Sequence, residues 1–144
     1  MNSKAQAIKS ACDIAVKRWT PDGETTFCNV AVNYISCAAG FSGFKGLLAN
    51  EIINLMKKSP DFAKVSAENA QKLANDGRLV IAGRMDEPHG HVACVYPGGE
   101  VVNSSRWHEP AATLANVGKI NGIMGANWSF PMPPSYWTWI EGTV

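Results

Sequence analysis

The sequence predicts an α+β domain, with N-terminal helices packed on a C-terminal antiparallel sheet. Two observations carry this. Through the first half of the chain apolar residues recur at helical spacing, whereas the second half breaks into short apolar runs separated by Gly, Pro, Asn and Asp. Helices followed by strands, without alternation, argue for segregated layers and against a parallel βαβ arrangement. At 144 residues the chain fits one domain, 1–144, long enough to bury a core without disulfide or metal.

Each element has its own signal. Ile8, Cys12, Ala15 and Trp19 make an amphipathic stripe over 4–19. Pro21 and Gly23 mark 20–26 as a loop. A second helix starts near Cys28 and is ended by Gly40. A Gly-containing link over 41–46 leads to a third helix over 47–58, with Leu48, Ile52 and Leu55 as its stripe. A fourth fits 67–75, with Ser66 as its cap and Gly77 past its end. Residues 79–82 then read as a buried strand, 86–90 as a turn and 91–96 as a second strand. Residues 100–104 are expected to return as the hairpin partner of 91–96, and 111–117, 127–130 and 136–140 are further strand candidates.

Composition narrows the function classes. Apolar residues make up 46% of the chain and charged residues 17%, which excludes a disordered chain. A formal charge of +1 gives no reason to expect nucleic acid as a partner. No apolar run is long enough to span a membrane, and Lys, Asp and Arg interrupt the first 19 residues as they would not in a signal peptide. The chain is therefore expected to be made in the cytoplasm without a leader. Cys12, Cys28, Cys37 and Cys94 form no C-x-x-C pair, and their scatter does not suggest a disulfide framework.

Cys28 follows a polar loop at an expected helix start, where unpaired N–H groups and the helix dipole favour a thiolate nucleophile. The competing reading is a buried small apolar residue. His91 opens a strand behind Gly90; alternation puts it on one face with Ala93 and Val95, and puts Val92 and Cys94 on the other. Rigid backbone suits a general base there, and a structural histidine is the alternative. An imidazole base needs a third group to orient it, and Asn116, a polar residue in an apolar strand candidate before Gly118, fits, with Asn127 and Asn103 as rivals. His89, His91, Cys94 and His108 do not converge as metal ligands, so no metal or other cofactor is expected. Trp107, Trp128, Trp137 and Trp139 could line a groove, although core packing is the commoner fate. The Gly98-Gly99 pair is a turn and no phosphate loop surrounds it, while Lys57 and Lys58 suit a solvated helix end.

This order of parts resembles the NlpC-type peptidoglycan cysteine peptidases, a compact branch of the papain-like fold. The string TFCN at 26–29 is similar to the nucleophile segment of phage and secreted-effector members, and GRLVIA at 77–82 with GHVA at 90–93 is similar to the strand pair that brings in the histidine. The stretch 70–95 also looks like the first family of type VI secretion amidase effectors, whose pattern AAQ…LVIAG…GHVAVV it follows. The resemblance covers about two-thirds of the chain, residues 27–118. It implies Cys28 as nucleophile, His91 as base and Asn116 as the orienting residue. It also implies a papain-like fold and cleavage of an amide in the peptide stem of peptidoglycan, D-Glu to diaminopimelate first and muramic acid to L-Ala second. An immunity or delivery protein would be a partner. The place of action would be the cell wall, in the periplasm or after delivery by a secretion system or phage. Two other expectations stand beside it: a non-catalytic binding domain using its aromatic C-terminal segment, and a permuted papain-like acyltransferase, which the cysteine-first order disfavours.

Overall fold

Asn2 opens the first helix: its side-chain oxygen accepts from the Ala5 N–H, filling one of the donors a helix start leaves unpaired. The structure, a computed structural model, describes residues 1–140. In chain order its elements are α1 (Ser3–Arg18), α2 (Cys28–Ala39), α3 (Ala49–Lys58), β1 (Phe62–Val65), α4 (Ala67–Asn75), β2 (Val80–Arg84) and β3 (His91–Val95). Then follow β4 (Val102–Ser104), β5 (Glu109–Ala111), β6 (Thr113–Asn116), β7 (Gly122–Gly125), α5 (Ala126–Ser129) and β8 (Ser135–Trp139). Ser66 caps α4 by accepting from the Asn69 N–H, and Gly40 closes α2 in the left-handed conformation.

Among the described residues the sheet has six strands in the order β1-β8-β2-β3-β6-β7, each neighbouring pair antiparallel. This is the α+β arrangement read from the sequence. Both faces of the sheet are covered. On one side Ile8 and Cys12 of α1, Val32 and Ile35 of α2, and Ile52, Ile53 and Met56 of α3 pack on Ile81, Val92, Cys94, Ala115 and Trp137. On the other, Ala70 and Ala74 of α4 join Val80, Ala82, Ala93, Val95, Leu114, Phe130 and Tyr136. Each fully buried aliphatic side chain contributes roughly 1.5–3 kcal/mol of transfer free energy. Two-sided burial is why 79–82 and 92–95 read as continuous apolar runs. Gln71 is one of the buried polar residues, and its amide is satisfied: it donates to Asn75 Oδ1 and the Tyr96 carbonyl and accepts from the Thr113 N–H.

The structure differs from the sequence expectations at several places, among them Leu48, expected in the apolar stripe of the third helix but 60% exposed at its N-cap. Residues 102–104 do not return to 91–96; β4 pairs with β5 as a separate hairpin, and β6 takes the place beside β3. Residues 127–130 lie mostly in the short helix α5, not in a strand. Residues 62–65, for which the sequence reading gives no element, form the edge strand β1 against β8. Among the described residues no helix is long and apolar enough to cross a membrane.

Candidate active site

Cys28 is the first residue of α2, and its N-cap, Phe27, offers no side-chain acceptor to the helix start. The thiol occupies that position instead. Backbone N–H groups of Val92, Asn29 and Cys28 itself face the sulfur and favour its ionised form. Burial outweighs them. Cys28 is 8% exposed, and loss of water around the sulfur pushes its pKa above the ordinary 9.0. The depressed thiol pKa expected from a helix start is therefore corrected: the resting group is a neutral thiol.

The Val92 contact follows from the sheet. The β3–β6 ladder pairs Cys94 with Ala115 and Val95 with Leu114 and goes no further towards the start of β3. Val92 pairs with Gly83 of β2 but has no ladder partner on its β6 side, and its N–H faces the Cys28 sulfur. His91 is the next residue. Its Nε2 lies 2.7 Å from Asn116 Oδ1. The amide orientation is fixed by its other end, because Asn116 Nδ2 donates to the Ile120 carbonyl at 2.7 Å and a carbonyl can only accept. Asn116 Oδ1 must then receive a proton, so Nε2 carries the hydrogen and Nδ1 keeps a lone pair. Burial lowers the His91 pKa below the ordinary 6.5, with Asn116 opposing it, so at neutral pH the ring is an uncharged imidazole whose Nδ1 can take a proton.

The ring is held by packing as well as by its hydrogen bond. The Phe130 ring centroid lies 4.9 Å from that of His91. A Cβ at Gly118 would stand 3.3 Å from His91 Cε1, so the bare glycine lets the imidazole lie against the chain. At Gly90, the residue before His91, a Cβ would fall 2.1 Å from Asn50 Oδ1. That close neighbour is a side chain of α3.

A cleft of about 410 Å³ opens at Cys28, between the 24–29 segment, the start of α3 and the 88–90 turn. Glu24, Glu51, Asn29 and Asn50 supply much of its polar lining, which includes no Lys or Arg. Asn29 and Asn50 spend their amide N–H groups on the Leu47 and Asp86 carbonyls. Asn50 Oδ1 is buried with no donor.

The rival asparagines are elsewhere: Asn103 is exposed on β4, and Asn127 offers its backbone carbonyl to Arg106. His89 lines the cleft, while His108 sits in the β4–β5 turn at φ 57°. Among the described residues no group of three His, Cys, Asp or Glu side chains is placed to hold a metal ion. Trp137 is in the core, Trp107 and Trp139 pack against it, and Trp128 is exposed. Phe130 and the Val92 N–H are parts of the site that sequence reasoning missed. No protein-family model matches the chain, and no curated protein matches it.

Proposed function

We propose that the chain is a cysteine amidase of NlpC-type, papain-like character that cleaves an amide of the peptidoglycan peptide stem. The observation that carries the chemistry is the His91–Asn116 hydrogen bond. It fixes the tautomer that leaves a basic Nδ1 on the residue next to the backbone donor of the Cys28 sulfur. The substrate class rests on the resemblance of the strings around Cys28 and His91.

His91 Nδ1 takes the thiol proton as sulfur attacks the amide carbonyl carbon. The Cys28 N–H, which faces the sulfur at rest, turns to the developing oxyanion. His91 then gives its proton to the leaving nitrogen, the C–N bond breaks and a thioester remains. Water attacks the thioester while His91 accepts its proton, releasing a carboxylic acid and returning the thiol. Because both partners are neutral at rest, proton transfer belongs to the chemical step, and no preformed ion pair is needed.

The test is digestion of purified sacculi with fragments identified by mass spectrometry. We expect new termini at the bond between D-Glu and diaminopimelate. Termini at muramic acid would move the assignment to the N-acetylmuramoyl-L-alanine amidases. Cys28→Ala and His91→Ala should each abolish release while leaving the melting temperature near the parent's, and the double variant should be no worse than either alone. Intact sacculi after treatment with folded parent protein would favour a non-catalytic binding domain.

A further inference from the structure

We infer that Arg106 is a positioning residue for His91: from the β4–β5 turn it ties down the backbone at 127–130, so that the Phe130 ring seals one face of the imidazole. The inference rests on His91 acting as the base. Arg106 Nη2 donates to the Phe130 carbonyl at 2.8 Å and also to the Asn127 carbonyl. The turn that carries it is braced, with Trp107 N–H donating to Ser104 Oγ and His108 N–H to the Ser104 carbonyl. Trp107 Nε1 adds a longer contact to the Pro131 carbonyl at 3.4 Å.

The segment needs such a tie. α5 has four residues, too few to hold a helical turn unaided: Ala126 accepts from the Phe130 N–H, and the carbonyls after it have no further helical turn to accept from. Arg106 supplies donors from a planar fork that can serve two carbonyls at once. Phe130 is 2% exposed, with its ring against His91. Released from the clasp, Phe130 would let water reach the imidazole, and burial is the largest influence on that ring, ahead of Asn116. The charged or titratable groups around it are Arg84, paired across from it on β2, Cys28 beyond Val92, and Arg106 behind Phe130.

The experiment is NMR titration of the His91 ring in the parent, Arg106→Ala and Phe130→Leu, with thermal melting and steady-state kinetics beside it. Arg106→Ala should move the His91 pKa up towards the ordinary 6.5. It should also lower kcat by about 10-fold with little change in KM, as other supporting residues do. Phe130→Leu keeps the arginine charge and should move the titration in the same direction. If Arg106→Ala shifts the ring and Phe130→Leu does not, the effect is one of charge alone and the inference fails. It fails too if folded Arg106→Ala titrates like the parent. Should Arg106→Ala not fold, Phe130→Leu alone decides. The titration needs no turnover, so a parent inactive on sacculi would overturn the functional proposal and leave this one to its own result.

Discussion

The side-chain amide of Asn116 meets two unlike neighbours, a ring nitrogen and a carbonyl oxygen, and only one orientation satisfies both. That sets the proton on Nε2 and makes the pH profile predictable. Activity needs a neutral His91, so the acid limb of kcat/KM should fall below pH 6.5, because burial lowers the ring's pKa. The alkaline limb should lie above pH 9.0, because burial raises the thiol's. A rate profile against a soluble stem peptide checks both, and a limb between 6.5 and 9.0 would sink the assignment. Asn116→Asp places a carboxylate at Nε2 and should raise the acid limb, since a nearby negative charge favours imidazolium. It also loses the donor to Ile120, so its melting temperature should fall. The places of Cys28, His91 and Asn116 in the fold were legible because each sits where an element begins or ends, and local patterns mark such places. Phe130, Arg106 and the Val92 N–H were not, because their roles depend on which distant segments meet.

One asparagine ties two elements behind the site. Asn121 Oδ1 accepts from the Gly118 N–H, and its Nδ2 donates to the Val16 and Trp19 carbonyls at the end of α1. The β6–β7 turn, which carries the Gly118 contact and the Ile120 carbonyl, is thereby fastened to a helix more than 100 residues earlier. Asn121→Ala leaves the Gly118 N–H and two helix-end carbonyls unpaired and should cost about 1–3 kcal/mol. Urea unfolding measures this, and a loss under about 0.5 kcal/mol, the size of an ordinary surface change, would remove Asn121 from the frame. The helices were the most legible elements, for α1 to α4 each show a periodic stripe, a cap or a closing glycine. The elements missed or misread are short. Residues 62–65 and 127–130 hold too few residues for a period to declare itself, and 100–104 were assigned to the nearest strand although the β3 edge is taken by β6.

Charge is distributed unevenly relative to the cleft. The chain is +1 overall, yet the cleft at Cys28 carries Glu24 and Glu51 and, among the described residues, no Lys or Arg. A peptide with a free amino group near the scissile amide should be favoured over its acetylated form. Glu24→Gln with Glu51→Gln should remove that preference through KM, with kcat retained. Steady-state rates on the two peptides at low and moderate salt test this, since exposed charges are screened by salt. Equal KM values for the two peptides would refute it. The order of the sheet bears on how the molecule comes into being. β1 has β8 as its strand partner, and β8 lies between β1 and β2 although it is the last of the described strands to be synthesised. On the ribosome, therefore, Cys28, His91 and Asn116 all emerge while the sheet is still in two pieces. Residues 135–139 complete it by inserting between strands made some 50 to 75 residues before, a late, long-range step of the kind that slows folding. A growing chain that already contains Cys28, His91 and Asn116 would thus carry them on an unfinished scaffold until this closing strand arrives.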